Sequence, residues 1–393
     1  MNLSNLTTLL VKAKNLLKQY PFIFPKSIVY SARDWINKAN KNLDWFRKKN
    51  SDWYLLKENE TIAFYLPPNS IYDDITIHFK ENLIKKNIKS TLYFLKGAYI
   101  FSNYGTVLSR KNEVFDEFCH YFSVKKVRQG KVFYPFKTLK FDLKKIRENS
   151  AVLAAPESEN YYHWIMDSLP RLCLVEEFIN AIDFFIVPSN IQPFHINSLK
   201  YWGIDENKLI KMTESDKIYF ENLFVPSLPG SEGNSPKWAV NYLRKKFLIE
   251  KTSLEKTNLV FFSRKNVQQR RIVNESEVID VLQKRGFLIY EMSSYSLDEQ
   301  ILISRKAKII VSPHGASLTN LVFADNCKLL EIFSPDYIRP DCFFTLACML
   351  EIEYWYLIGK DRCLDNRLPW GDIYVDINEL NTTLNRMLNA RQE

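Results

Sequence analysis

The second half of the chain alternates short apolar runs with amphipathic segments, and this pattern constrains the fold more than any other feature. The segments between the runs have the apolar spacing of helices, as at Leu318, Leu321 and Val322. Strands that alternate with helices predict a parallel sheet covered by helices. The five runs of strand length lie at 258–263, 287–291, 308–312, 328–333 and 352–357.

Two of the predicted helices begin with capping sequences. Asn274 stands three residues before Glu277, and Ser296 stands three residues before Glu299. This spacing lets the two side chains satisfy free amides at a helix start, so helices are expected after Asn274 and Ser296.

The first half is less regular. Apolar runs at 151–155 and 184–187 predict buried strands followed by helices, whereas aromatic and β-branched residues over 51–150 predict irregular β structure. The run S-L-P-G-S-E-G-N-S-P at 227–236 predicts a linker. The sequence therefore predicts an α/β protein whose two halves face a cleft, with ligands at the carboxyl ends of the strands.

Four regions follow from this organisation. They are a basic helical segment at 1–50, an α/β domain at 51–235, a second α/β domain at 236–365 and a tail or helix at 366–393.

The positive charge is concentrated at the N-terminus. Among 393 residues with a net charge of +9, residues 1–50 hold ten Lys or Arg but only two acidic residues, and so carry +8 of that charge. The rest of the chain, residues 51–393, is nearly neutral, which argues against nucleic acid as a partner. The segment predicts a local anionic partner such as a membrane surface; a solvated helix or a protein-binding arm is the alternative.

Several classes of protein are excluded by missing motifs. The chain has no G-x-G-x-x-G, no P-loop sequence and no G-x-S-x-G. These absences argue against a classical dinucleotide-binding fold, a P-loop NTPase and an ordinary α/β-hydrolase, respectively. Its six cysteines form no C-x-x-C pair, and no paired aspartates follow an apolar strand. No signal peptide or membrane span is recognisable, so we expect a cytoplasmic protein. Because such paired aspartates are missing, we also expect it to work without a metal or other cofactor.

The sequence I-I-V-S-P-H-G-A-S-L-T-N-L-V-F-A at 309–324 predicts a strand that turns abruptly into a helix. Gly315 permits the turn, and the helix would begin at Ala316 or Ser317 with free amides. Such a helix start favours a phosphate, to which His314 could also donate. The alternative is an unoccupied strand-to-helix turn with a structural histidine.

The sequence S-R-K-N-V-Q-Q-R-R-I-V-N-E at 263–275 places four cations after a predicted strand. They are Arg264, Lys265, Arg270 and Arg271. Guanidinium groups match phosphate geometry, and fixed cations can stabilise a departing diphosphate without a metal. A solvated run of charge is the alternative.

The sequence N-Y-Y-H-W-I-M-D-S-L-P-R-L at 160–172 places His163 and Asp167 one helical turn apart. An imidazole oriented by a carboxylate can act as a general base, so we assign that role to His163 with Asp167 as its orienter; Asp167 is the competing base. A pair on a helix surface without function is the alternative. Further along, Glu331 ends a predicted strand, where an acidic residue can bind a ribose.

Taken in their order along the chain, the segments 160–172, 263–275 and 309–324 resemble glycosyltransferase family 61. The resemblance covers roughly residues 90–360. The resemblance implies a GT-B arrangement, a nucleotide-sugar donor (usually a UDP-sugar) and inversion at the anomeric carbon. It implies that His163 and Asp167 serve the acceptor side. The predicted donor site comprises Ser263, Arg264, Arg270, Arg271, His314, Gly315, Ala316, Ser317, Asn320 and Glu331.

We therefore expect an inverting glycosyltransferase of the bacterial branch that makes surface or capsular polysaccharide. The acceptor would be a glycan or a lipid-linked glycan, and residues 1–50 would hold the protein on the inner face of the cytoplasmic membrane. The alternative is a non-catalytic glycan- or nucleotide-binding protein of the same fold.

Overall fold

A computed structural model describes most of the chain. The residues described are 27–29, 53–58, 61–64, 67–72, 77–80, 83–87, 90–110, 113–115, 144–230, 235–247, 255, 258–363 and 366–389. The predicted basic helix over 1–50 therefore lies outside the described residues, apart from one short strand. Within the described residues, no helix is both long and apolar enough to span a membrane.

Eighteen strands occur in the described part of the chain. In order they are β1 (Ser27–Val29), β2 (Trp53–Glu58), β3 (Thr61–Phe64), β4 (Ile84–Asn87), β5 (Ser90–Phe101), β6 (Thr106–Ser109), β7 (Glu113–Phe115), β8 (Lys145–Val152), β9 (Phe184–Pro188), β10 (Leu209–Met212), β11 (Lys217–Pro226), β12 (Asn258–Phe262), β13 (Phe287–Tyr290), β14 (Ala307–Pro313), β15 (Lys328–Phe333), β16 (Glu353–Ile358), β17 (Arg362–Cys363) and β18 (Asn366–Arg367).

The same residues form nine α-helices and several shorter helical turns. The α-helices are α1 (Ile77–Lys80), α2 (Tyr161–His163), α3 (Arg171–Val175), α4 (Pro193–Leu199), α5 (Lys237–Phe247), α6 (Glu275–Gln283), α7 (Leu297–Lys306), α8 (Phe343–Met349) and α9 (Ile377–Asn389). A π-helical turn spans Trp164–Ser168, and 3₁₀ turns span Glu176–Ala181, Lys200–Trp202, Glu206–Lys208, Met292–Ser294 and Ala316–Phe323.

The sheet of the second half has five parallel strands in the order β13-β12-β14-β15-β16. This confirms the predicted parallel sheet and the α/β class. The chain leaves β12 for β13 on one side and returns to β14 on the other. A crevice opens where the strand order reverses in this way, outside the carboxyl ends of β12 and β14.

The two predicted capping sequences behave differently. Ser296 accepts a hydrogen bond from the amide of Glu299, whose carboxylate accepts from Ser296 in return, so the predicted capping box is confirmed. Asn274 precedes α6 but does not cap it with its side chain. Its amide group donates to Val375 O and accepts from Val375 N instead, because the segment before α9 offers a buried backbone pair.

The first half is built on a mixed sheet of nine strands. Strands β11, β8, β9 and β10 lie parallel, and β5 joins them antiparallel to β11. The predicted β-rich region and the predicted α/β region therefore share one sheet. Strand β11, which the sequence did not predict, lies between them.

One apolar core connects the two sheets. Phe185 and Phe224 of the first half belong to the same buried cluster as Ile310 and Phe333 of the second. From α1, Phe79 stacks on Tyr356 with ring centroids 4.4 Å apart. The halves thus meet over a packed apolar surface, which fixes both walls of the crevice.

Arg171 anchors the segment 160–172 to the first sheet. Only 4 % of its surface is exposed. Its Nη1 donates to Ala154 O at 3.0 Å, and its Nη2 donates to Pro226 O at 2.7 Å. These two carbonyls lie at the carboxyl ends of β8 and β11, so one buried guanidinium closes that edge of the sheet. Burial lowers the pKa of Arg171 to about 9, against a smaller opposing effect of Asp167.

Candidate active site

A cavity of about 370 Å³ lies at the crevice between the two halves. The first half contributes Tyr161, Gln192, Pro193, Phe194 and Asn197, and the second half contributes Ser263, Arg264, Asn266, Val267, Glu291, Met292, Ser293, Tyr295, Ser296, Leu297, Gln300, Ala316 and Ser317. Apolar rings and a few polar groups that converge on one cleft are typical of a small-molecule site.

Arg264 provides the cavity with a buried cation. Its side chain is 9 % exposed, and its Nη2 donates weakly to Gln269 O at 3.4 Å. Its Nε is buried without a hydrogen-bond partner. Among the described residues no carboxylate forms an ion pair with it. Burial, with a smaller effect of Arg270, lowers its pKa to about 10, so it remains charged at neutral pH.

Arg270 adds a second cation beside Arg264. It has a left-handed backbone (φ 58°), a conformation that costs free energy in a residue other than glycine. Its Nε is also buried without a partner, and its guanidinium lies 5.0 Å from the ring centroid of Tyr337. Among the described residues neither guanidinium pairs with a carboxylate, so an external anion can bind to them, although Arg270 itself does not line the cavity.

Gly315 fits closely against Arg264. A Cβ atom at this position would overlap the Arg264 guanidinium, so any other residue here would force that side chain to move. The next residues begin the helical turn Ala316–Phe323, which confirms the predicted helix start, although the turn is 3₁₀. Free amides at a helix start and an adjacent guanidinium form a site that suits a phosphate group.

Glu331 is not available to a ribose, so that prediction is wrong. Its side chain is fully buried. Both of its oxygens are used: Oε1 lies 2.5 Å from His314 Nδ1, and Oε2 accepts from Tyr354 OH at 2.5 Å. The carboxylate orients His314, whose ring also stacks on Phe333 at 5.4 Å. His314 does not line the cavity.

Three other predicted donor residues are held by protein partners. Arg271 pairs with the buried Asp372, with Nη2 2.7 Å from Oδ2, and it does not line the cavity. Asn320 is fully buried and accepts from Tyr161 OH at 2.8 Å, which ties the two halves together. Ser263 lines the cavity but donates to Glu275 Oε1 at 3.0 Å. Direct donor binding by Arg271 and Asn320 therefore stays a prediction, which these partners do not favour.

The predicted pair of His163 and Asp167 is present. His163 Nδ1 lies 2.8 Å from Asp167 Oδ2. The residues between them form the π-helical turn Trp164–Ser168, a local irregularity that often marks functional sites. Pro170 then interrupts the helix before α3.

Glu157 is a third member of this group, and sequence reasoning missed it. Its Oε2 lies 3.0 Å from His163 Nε2, and 63 % of its side-chain surface is exposed. It lies in the loop after β8 with a left-handed backbone (φ 58°). Its strained backbone and its place at the carboxyl end of a parallel strand are visible only in the structure, so the sequence offered no signal for it.

Two carboxylates thus flank the His163 ring, and they decide its charge. Burial disfavours the imidazolium, but hydrogen bonds to Asp167 and Glu157 outweigh this effect and raise the pKa of His163 to about 9. At neutral pH the ring therefore carries both protons and cannot accept another. The arrangement favours a carboxylate as proton acceptor, although the choice of base stays a prediction.

This charge predicts a pH-dependent stability. The folded-state pKa lies above the unfolded value of 6.5, so the contribution of His163 is complete below pH 6.5 and is lost as the pH rises through about 9. Between pH 6 and pH 10, we expect the free energy of unfolding of wild type to fall by about 2 kcal/mol relative to that of His163→Gln. The fall is smaller than the full pKa shift implies, because solvent screens the exposed Glu157. Urea unfolding of both proteins measures this difference, and parallel pH profiles would contradict it.

In the described part of the chain, no three His, Cys, Asp or Glu side chains converge as metal ligands would. Metal independence itself stays a prediction.

Comparisons with known proteins relate this site to a family. Residues 161–330 match the family model described as glycosyltransferase 61. The matched range includes His163, Asp167, Arg264 and Gly315. The chain is also similar to the EGF domain-specific O-linked N-acetylglucosamine transferase of Drosophila melanogaster, with 24 % identity over 161 residues. That alignment covers 36 % of this chain and 30 % of the fly protein.

Proposed function

We propose that this chain is an inverting glycosyltransferase of the family 61 kind with a GT-B arrangement, which uses a nucleoside diphosphate sugar as donor. The match over residues 161–330 supports glycosyl transfer. The observation that carries the proposal is the pair Arg264 and Arg270, each with a buried Nε that has no partner. A diphosphate supplies the anionic oxygens that this pair lacks.

The proposed donor position follows from the cavity. The diphosphate lies between Arg264 and the first amides of the turn Ala316–Phe323. The base and sugar occupy the cavity, which Glu291, Tyr295 and Gln300 line. UDP is the nucleotide we expect, on the strength of the family resemblance.

The reaction proceeds by direct displacement. A carboxylate beside His163 takes the proton of the acceptor hydroxyl, and that oxygen attacks the anomeric carbon from the face opposite the diphosphate. The bond between the anomeric carbon and the phosphate oxygen breaks with its electron pair, and the configuration inverts. Arg264, Arg270 and the helix amides stabilise the charge that develops on the leaving diphosphate.

A thermal-shift screen tests the donor. Because a ligand at ~100 times its Kd stabilises the folded state by about 2.7 kcal/mol, UDP should raise the melting temperature measurably. UDP, GDP, CDP and TDP that all leave the melting curve unchanged would refute the donor site. Slow hydrolysis of a UDP-sugar without acceptor distinguishes an enzyme from a protein that only binds nucleotide.

The setting of the reaction is also a proposal. We infer a glycan or lipid-linked glycan acceptor in surface polysaccharide synthesis, at the inner face of the cytoplasmic membrane. The +8 charge of residues 1–50 supports docking on anionic lipid. In liposome flotation, recovery should be higher with anionic than with neutral vesicles. Equal recovery, or no loss on deletion of residues 1–50, would rule docking out.

A further inference from the structure

Trp370 is exposed to solvent on a turn that the protein holds rigidly. Its side chain is 59 % exposed, more than any other large apolar side chain among the described residues. The turn closes with a bond from Asp372 N to Pro369 O at 3.0 Å, and Gly371 has the left-handed φ of 84° that the turn requires. Its exposed indole therefore presents an apolar face that a ligand could cover.

Polar contacts fix the orientation of this turn. Asp336 Oδ2 accepts from Gly371 N at 3.3 Å, and its Oδ1 accepts from Arg367 Nη2 at 3.2 Å. Asp372 accepts from both Nε and Nη2 of Arg271. The backbone position of Trp370 is therefore set before any ligand arrives, which lowers the entropic cost of binding.

Ring contacts connect Trp370 to the candidate active site. Its ring meets Tyr337 edge to face at 5.8 Å, and Tyr337 lies 5.5 Å from His314. The guanidinium of Arg270 covers the Tyr337 ring. Neither aromatic residue lines the cavity assigned to the donor. The aromatic pair thus lies outside the donor cavity, next to His314 and Arg270.

We propose that Trp370 and Tyr337 form a subsite for a pyranose ring of the acceptor glycan, an assignment that rests on the proposed function. One face of a pyranose presents C–H groups, which pack on an indole, while its hydroxyls bond to polar groups at the edge. Asp336 and Arg367 provide such an edge beside Trp370. The inner end of this pair is connected to the His163 region through Phe343, whose ring contacts both His314 and Tyr162.

A glycan array tests this subsite with the full chain. Wild type should bind at least one class of printed oligosaccharide. Trp370→Ala should weaken that binding at least about tenfold, and Trp370→Phe should retain part of it. The matched control is Leu302→Ala, because Leu302 is 44 % exposed and lies elsewhere, on α7. Its binding should equal that of wild type.

The UDP thermal shift is measured on the same proteins and separates this subsite from the proposed function. An unchanged UDP shift in Trp370→Ala, together with lost glycan binding, supports the subsite. Wild type that binds no printed glycan, or Trp370→Ala that binds as tightly as wild type, overturns it. If wild type does not bind UDP but binds glycan in a manner that depends on Trp370, the proposed function is refuted and the glycan subsite is supported.

Discussion

Asp167→Asn should lower kcat for sugar transfer by ~100- to 10,000-fold, the usual cost of losing a general base. The amide cannot accept the proton of the acceptor hydroxyl. It also replaces the carboxylate that lies 2.8 Å from His163 Nδ1. UDP binding should be unchanged, because Asp167 does not line the donor cavity. Initial rates at saturating donor and acceptor measure the loss, with the exposed Asp205→Asn as the matched control.

Two further variants identify the base. If Asp167 is the base, Glu157→Gln should cost far less than Asp167→Asn, and His163→Gln should cost an intermediate amount by releasing both carboxylates. A severe loss in Glu157→Gln with near-normal turnover in Asp167→Asn would transfer the role to Glu157. Near-normal turnover in all three variants would refute the site.

Arg264→Ala should lower kcat by ~100- to 1,000-fold, as removal of one preorganised charge-stabilising group does in other enzymes. The departing diphosphate gains charge in the transition state, and Arg264 is the buried cation beside Gly315. Arg264→Lys should recover little of the activity, since an ammonium cannot reproduce two parallel bonds to a phosphate.

The matched control for Arg264 comes from the same segment. Lys265→Ala removes an exposed cation of this segment that does not line the cavity, so it should leave kcat and UDP affinity within about threefold of wild type. Equal losses in the two alanine variants would show that the overall charge of the segment, and not the position of Arg264, decides activity.

The sequence predicted those parts of the fold that depend on local pattern. The alternation over 258–357 is local, so the strands of the second sheet were predicted to within a few residues. Strand β11 was not predicted, because it is specified by its pairing with β5 and β8, which lie far away in the chain. The reversal of strand order around β12 could not be predicted from the sequence either, although this reversal determines where the cavity lies.

Site residues were predicted unevenly for a related reason. Arg264 and Gly315 both follow strands, and the parallel sheet brings those strand ends together. Glu331 also lies near a strand end, yet its side chain turns inward to His314 and Tyr354. A residue's place near a strand end therefore predicts where its backbone lies in the fold, but it does not predict whether its side chain points into the site or into the core. Glu157 belongs to no recognisable motif, and only its contact with His163 identified it.

The central claim is that a nucleoside diphosphate binds where Gly315 meets Arg264. Calorimetric titration of UDP into wild type and Gly315→Val tests it most directly, because the added side chain would take the space of the Arg264 guanidinium. Thermal unfolding of the variant without ligand checks that it still folds. We expect wild type to bind UDP and a folded Gly315→Val to bind it at least about tenfold more weakly. Equal affinity in the two proteins would place the donor elsewhere and contradict this account.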